Sequence, residues 1–369
     1  MNFDLSEEQQ VVRDLATQVF GDLATPERVK EVEAADGFDH DLWTALAEAG
    51  LLGLCLPESN GGSGMGLVEL CLIAEQQGRN VAPVPLVSTV VSAMTLADHF
   101  ASEPALGSLI SGVVDGSVVL AAALAEPGVN DPLSPSVQAT RSGDTVRITG
   151  EKPAVPALPV ADAVVVPVRF DDRPALAVIA TDLDGLTIER LETTNHEPQG
   201  HLRLEVEVPV DLVTAAPAAL DDLYHRMLVA NCAIQLGVGE GAIAYVAEHV
   251  STREQFGRTL SNFQAVSQRA ADGYILNEAL RATVLNAAWQ LANRSTESAR
   301  SDVLAAAYWA SDGTQEVVLT AQHLHGGIGA DVDYPVHRHF LWGMQMAGTL
   351  GTASSHLARL GAHVAATTA

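Results

Sequence analysis

The segment Arg253-Glu254-Gln255-Phe256-Gly257, followed by Asn262-Phe263-Gln264-Ala265-Val266, holds the residue types best suited to a ligand. A guanidinium is a planar fork that grips an anion through two hydrogen bonds, and Phe256 and Phe263 could stack on an aromatic ring. The same residues would also serve as the cationic end of a long helix, favourable against the helix dipole. Residue types alone leave both readings open. Arg253, Arg258 and Arg269 form a basic cluster in a chain with 20 Lys+Arg against 46 Asp+Glu, a formal net charge of −26. So acidic a chain repels nucleic acid and anionic membranes, and a phosphorylated ligand needs a cluster of this kind.

Other constellations carry less. Gly237-Val238-Gly239-Glu240-Gly241 has the look of a phosphate loop, but that fingerprint needs a strand before it and a helix starting at it. These glycines lie inside a long helical pattern, where close approach of helices explains them. His323-Leu324-His325 and His337-Arg338-His339 could suggest a metal. Ligands two apart on a helix point to different faces, and no acidic partner three or four residues on completes a set, so packing or ligand hydrogen bonds are the better reading. There is no G-x-S-x-G elbow to support serine hydrolysis. Cys55, Cys71 and Cys232 form no CxxC pair and read as core residues in a reducing compartment, with the cytoplasm expected. No apolar run reaches the roughly 18 residues that span a bilayer, and Met1-Asn2-Phe3-Asp4 opens no secretion signal.

The elements that must position these residues fall into three parts. Residues 1 to about 115 read as helical, with Ser6 and Gln9 as a capping box and Asp39 as the N-cap of a helix that Gly50 ends. Between about 117 and 212 the period becomes two. Leu202, Leu204, Val206 and Val208 alternate with Arg203, Glu205 and Glu207, and Ser142-Gly143-Asp144 supplies a hairpin turn. Ala163–Val168 and Ala175–Ala180 read as strands buried on both faces, and the whole insert as a small barrel or sandwich. Helical periodicity returns over 221–252, 262–294, 302–324 and about 338–366, suggesting a four-helix bundle. The fold class is therefore α+β, mostly α, with domains at 1–116, 117–216 and 217–369.

Over nearly its full length the chain resembles the acyl-CoA dehydrogenase family. The resemblance is carried by Asp41-Leu42-Trp43 through Leu51-Leu52-Gly53-Leu54, Pro57-Glu58 with Gly61-Gly62, Ala125-Glu126-Pro127-Gly128 and Gly150-Glu151-Lys152. The Arg253–Gly257 and Phe263-Gln264 motifs follow, then His325-Gly326-Gly327-Ile328-Gly329 with Tyr334-Pro335-Val336, all in the family's order. The resemblance implies FAD extended across a subunit interface, with its adenosine end held through Arg253, Phe256, Phe263, Gln264, His323, Gly326 and Gly327. Phe263 and His323 stand there with identities altered from the family's.

On the flavin side the resemblance fails. The family's hydroxyl residue before Glu-Pro-Gly is Ala125 here, and its Trp-x-Thr after Gly-x-Lys aligns with Ala154 and Pro156. Family chemistry also needs a carboxylate to take the substrate α-proton while the β-hydride passes to the flavin. The two positions that the family uses for it fall on Leu350 and Met227, and Glu240, the nearest acid on that helix, lies between glycines. No catalytic residue is therefore assigned. The pattern is most like actinobacterial heteromeric pairs acting on steroid side-chain CoA thioesters. It implies a homologous partner that carries the catalytic Glu in an α2β2 heterotetramer, an acyl-CoA substrate and an electron-transferring flavoprotein as acceptor. Two alternatives remain: a self-sufficient homo-oligomer with a relocated base, and a redox-inactive scaffold or binding protein.

Overall fold

A computed structural model describes residues 4–100, 104–128 and 131–368, so that most of the opening segment read for a secretion signal lies outside the described residues. The first part is helical: α1 (Glu7–Leu23), α2 (Pro26–Ala34), α3 (His40–Glu48), α4 (Leu67–Arg79), α5 (Leu86–His99) and α6 (Pro104–Val114). Local chemistry sets the helix starts. The Gln9 N–H donates to Ser6 Oγ (3.1 Å) and the Ser6 N–H to Gln9 Oε1 (3.0 Å), closing the expected capping box. Asp39 accepts from the Leu42 N–H at 3.2 Å, and Gly50 goes left-handed (φ +73°) just past the end of α3, freeing the chain to turn away.

The middle part is one eight-stranded sheet of β1 (Leu120–Ala122), β2 (Gln138–Ser142), β3 (Thr145–Pro156), β4 (Ala163–Phe170), β5 (Arg173–Ala180), β6 (Leu186–Leu191), β7 (Gln199–Pro209) and β8 (Val213–Thr214). The order is β6-β7-β3-β2-β4-β5-β8. β1 pairs along the start of β4, and β4 is parallel to β1 and β2 but antiparallel to β5. A two-residue turn, Gly143-Asp144, sets Ser142 opposite Thr145. In β7 the apolar residues from Leu202 to Val208 are buried and the charged ones between them exposed. Ala163–Val168 and Ala175–Ile179 are buried throughout, as their unbroken apolar runs require.

The last part holds α7 (Pro217–Thr252), a two-stranded ribbon of β9 (Glu254–Gln255) and β10 (Arg258–Thr259), then α8 (Gln264–Asn293), α9 (Thr296–His325), α10 (Val336–Met346) and α11 (Ala353–Thr368). At 36 residues α7 is about 54 Å long. The single helix expected over about 338–366 is two, because Leu350 (φ +61°) and Gly351 (φ +134°) leave the helical region between α10 and α11. One expectation needs correcting. Ala218–Thr252 contains an 18-residue window of mean hydropathy 1.4, long and apolar enough to cross a membrane, because scattered Asn, Gln and Gly barely lower its average. Of that window 83% is buried inside the protein, as in the core helix of a globular domain.

The chain divides into two compact units. One comprises Met1–Lys30, Cys71–Ala82 and Leu228–Ala369, the other Glu31–Leu70 and Pro83–Met227. In the second, Trp43 Nε1 donates to Gly116 O (2.9 Å) and Thr89 Oγ1 to Leu120 O (3.1 Å), tying helices to the sheet's first strand and its approach. In the first, glycines set the helix spacing. A Cβ on Gly237 would lie 1.9 Å from Glu75 O, on Gly239 2.2 Å from Asn277 Oδ1, and on Gly241 2.3 Å from His339 Nε2. Close helix contact is thus the role of the glycine run. Cys55, Cys71 and Cys232 are free and buried.

Candidate functional site

α7 stops at Thr252, and the Arg253 N–H still donates to His249 O at 2.9 Å. The next residues turn back at once. Arg258 pairs with Gln255 and Thr259 with Glu254, leaving Phe256 (φ +54°) and Gly257 (φ +76°) as the two turn residues. Two successive positive φ values belong to the primed hairpin turns that match strand twist, and glycine meets the second at no cost. Phenylalanine at the first costs about 1–2 kcal/mol. The strain raises the Phe256 ring on the tip of the ribbon, 92% exposed. Its edge meets Phe263 at 6.2 Å between centroids, and the Arg258 guanidinium lies 4.1 Å above the Phe263 ring. Phe263 occupies the N-cap position of α8, and Gln264, its first residue, is exposed like Arg253. A strained backbone that displays an aromatic ring beside an open guanidinium is a surface built to be covered.

The second set of positions closes α9. Gly326 (φ +64°, ψ −139°) is in a conformation closed to L side chains, and a Cβ added at Gly326 or Gly327 would meet nothing within 4 Å, so the backbone there is open to a ligand. His323 is exposed on the last turn of α9. Beneath the glycines lies an aromatic layer. His325 stacks on His249 (4.5 Å, 26°) and meets Tyr334 (5.3 Å), while Tyr245 meets both Tyr334 and His339. His325 Nδ1 is 2.7 Å from Ala321 O and His339 Nε2 is 3.0 Å from Arg79 O. Burial pushes His249, His325 and His339 below the usual imidazole range, His339 to about 4, so these rings are neutral at pH 7. The His249–His325 stack joins the end of α7, where Arg253 begins the ribbon, to the end of α9 and its Gly-Gly turn. All seven adenosine-side positions therefore sit on elements of one unit. Tyr245 and His249 carry no motif, and only the spacing of α7 against α9 makes them neighbours.

Ala125, Ala154, Pro156 and Met227 belong to the other unit, Leu350 and Glu240 to the first. Ala125 is half-buried, and Glu126 beside it forms an ion pair with Lys152, the two side chains 1% and 0% exposed. Burial lowers the Lys152 ammonium from its ordinary range and Glu126 opposes that shift. β3 loses register between Lys152 and Val155, with Ala154 left-handed (φ +50°) and exposed and Pro156 at the strand end. None of Ala125, Ala154 and Pro156 has a side-chain donor, and proline lacks even the backbone N–H. Met227 is buried, and Leu350 is half-buried in the left-handed turn before α11. Glu240 is engaged by Arg79 Nη1 (2.8 Å) and Arg281 Nη2 (3.2 Å). The residues present thus fit the adenosine half of a dinucleotide and offer the flavin ring no side-chain hydrogen bond at these positions.

Comparison with known proteins identifies the family. Residues 6–116 match the model of the acyl-CoA dehydrogenase N-terminal domain, and residues 223–365 that of the C-terminal domain. Acyl-CoA dehydrogenase FadE27 of Mycobacterium tuberculosis is 35% identical over 378 residues, covering 100% of both chains. Among solved structures, a variant of the Tcur3481-Tcur3483 steroid ACAD superposes with a TM-score of 0.92 at 43% identity, over 98% of this chain and 99% of that one. The ChsE4-ChsE5 complex from Mycobacterium tuberculosis gives 0.93 at 35% identity, over 99% of each chain. With both terminal domains matched and relatives aligned end to end, the chain belongs to the acyl-CoA dehydrogenases, FAD-dependent oxidoreductases acting on CH–CH groups.

Proposed function

We propose that this chain is one subunit of a heteromeric acyl-CoA dehydrogenase, holding the adenosine half of FAD and leaving proton abstraction to a homologous partner. One contrast carries the reading: Phe256 is held strained and exposed three residues after the exposed Arg253, while Met227 and Leu350, the positions aligned with the family's base, cannot accept a proton. FAD, when bound, supplies the hydride acceptor for α,β-desaturation of the thioester. Arg253 is suited to grip the pyrophosphate with its fork, Phe256 and Phe263 to stack on the adenine side, and Gly326-Gly327 to admit the cofactor against bare backbone. Gln264 and His323 add polar groups at the rim.

The partner is a homologue with a Glu at a base position, in an α2β2 assembly. The likeness to a steroid ACAD and to a two-protein complex, ChsE4-ChsE5, supports both the pairing and a steroid side-chain CoA thioester as substrate. An electron-transferring flavoprotein is the acceptor, the cytoplasm the site of action, and 1–116, 117–216 and 217–369 the domains.

The test is a flavin count and native mass measurement on the chain alone and co-expressed with such a homologue. Alone, the chain should hold substoichiometric flavin and desaturate no acyl-CoA; together, both should be restored. Full activity from the isolated chain would refute the reading in favour of a self-sufficient enzyme, and absence of flavin in every pairing would leave a scaffold protein.

A further inference from the structure

A second group of charged side chains lies within the first unit and shares no residue with the adenosine-side positions. Residues of α1 and the stretch before it, with α4, α7 and α8, enclose a cavity of about 750 Å³, within the range of small-molecule sites. Glu75, only 5% exposed, receives Arg281 Nη1. The same guanidinium reaches Glu240 Oε2 (3.2 Å) and Glu278 Oε1 (3.4 Å), and Arg79 Nη1 donates to Glu240 Oε1 (2.8 Å). At the mouth, Arg13 is turned onto Asp14 at 2.8 Å. All three lining arginines are thus already aimed at carboxylates.

Among the described residues lining the cavity, one buried side-chain atom lacks a hydrogen-bond partner, and it is an acceptor. Gln76 lines the cavity at 3% exposure, and its Oε1 has no hydrogen-bond partner. A buried acceptor left unpaired costs about 1–3 kcal/mol, so it favours a ligand that donates. Four acids, Asp4, Asp14, Glu75 and Glu240, line the space against the three arginines. Leu5, Leu72 and Leu285 add an apolar wall.

We propose that this cavity binds a small organic cation, a primary ammonium carried on a short alkyl chain. An ammonium has three donors and no acceptor, which suits Gln76 Oε1 and the acid surplus, and methylenes can lie along the leucines. An anion would face carboxylates behind every guanidinium. The net charge of −26 raises the local concentration of cations further.

The electrostatics predict a pH dependence. Burial, with Glu240 adding to it and Arg281 opposing it, pushes the Glu75 carboxyl up to about 7. The charged groups around the cavity are Asp4 from the stretch before α1, Arg13 and Asp14 from α1, Arg79 from α4, Glu240 from α7, and Arg281 from α8 with Glu278 beside it. A cation favours the ionised form, so binding should release a proton near neutrality and tighten from pH 6 to pH 8.

Titration calorimetry of the whole chain with 1,4-diaminobutane at fixed ionic strength tests the site. Saturable one-to-one binding is expected at pH 8, weakened about tenfold by Gln76→Leu, the loss of one hydrogen bond to a charged group. Glu75→Gln should flatten the pH dependence, and if that variant fails to fold, Gln76→Leu still decides. No saturable heat, equal binding to wild type and Gln76→Leu, or equal displacement by potassium would overturn the proposal.

Discussion

Phe256 and Ala154 are both non-glycine residues held left-handed, φ +54° and +50°, at positions we propose for the two ends of the cofactor, yet they do opposite things. At the ribbon tip the strained residue carries a large ring into solvent beside an unburied guanidinium. At the break in β3 it carries a methyl, and the nearby polar groups are taken up internally: Glu126 pairs with Lys152 through one oxygen and accepts from Ser136 through the other. The first region spends conformational energy on display. The second keeps a left-handed backbone whose side chains offer a ligand no donor. Form can therefore outlast chemistry, and a left-handed residue marks function only together with what its side chain offers.

The comparison can be broken most forcefully at Lys152. Lys152→Met leaves Glu126 buried without its counter-charge, held by Ser136 alone, so urea unfolding should show a loss of about 3–5 kcal/mol, as for other severed internal ion pairs. A loss under about 1 kcal/mol, the ordinary worth of an exposed pair, would mean that this pair is not the closed unit described.

The histidine layer under Gly326-Gly327 gives the next effect. His339 is pushed down to about 4 in the folded chain against 6.5 for a free ring, so the unfolded state takes up a proton first. Stability is then fully present above about pH 6.5 and lost as pH falls from there toward about 4, with a slope of up to about 1.4 kcal/mol per pH unit. The difference between wild type and His339→Phe isolates this ring from Glu75 and Glu197, whose raised carboxyls slope the other way. Identical slopes in the two proteins would remove the layer from the account.

Arg253→Ala in the assembled heteromer should weaken FAD retention about 10- to 100-fold, the worth of a charge-assisted hydrogen bond, with little change in thermal midpoint. Leu350→Ala in the same assembly should leave kcat within about twofold, since an apolar side chain does no proton transfer. The smallest effect is at the ribbon tip. Phe256→Gly relieves left-handed strain and should stabilise the free chain by up to about 1 kcal/mol while costing the heteromer a few-fold in flavin affinity. If it stabilised both, the exposed ring would have no ligand to meet.

What could be read from residue order was local. The Ser6–Gln9 box, the Asp39 cap and the alternation from Leu202 to Val208 depend on neighbours a few positions apart, and each stands as its pattern implies. The ribbon was less legible, because Phe-Gly is not a usual hairpin dipeptide, and Arg253 reads equally well as the end of a helix. The break at Leu350-Gly351 hides in the same way inside an apolar period that one glycine does not interrupt by itself. Glu75 and Arg281 lie 206 positions apart, and no pattern in either neighbourhood announces their pairing. The residues proposed for the adenosine side were read from ordered motifs, whereas the cavity beside Gln76 is a product of packing alone.

A side chain at Gly78 would lie 1.9 Å from Ile234 O, and one at Gly237 would lie 1.9 Å from Glu75 O, so α4 and α7 meet there with hydrogen atoms as the only cushion. Such a joint has no soft layer to compress and no rotamer to yield, and it behaves as a rivet. Amides around Ile234 and Gly237 should be among the last in the chain to exchange with solvent, leaving thermal play to be taken up at the tip of the ribbon.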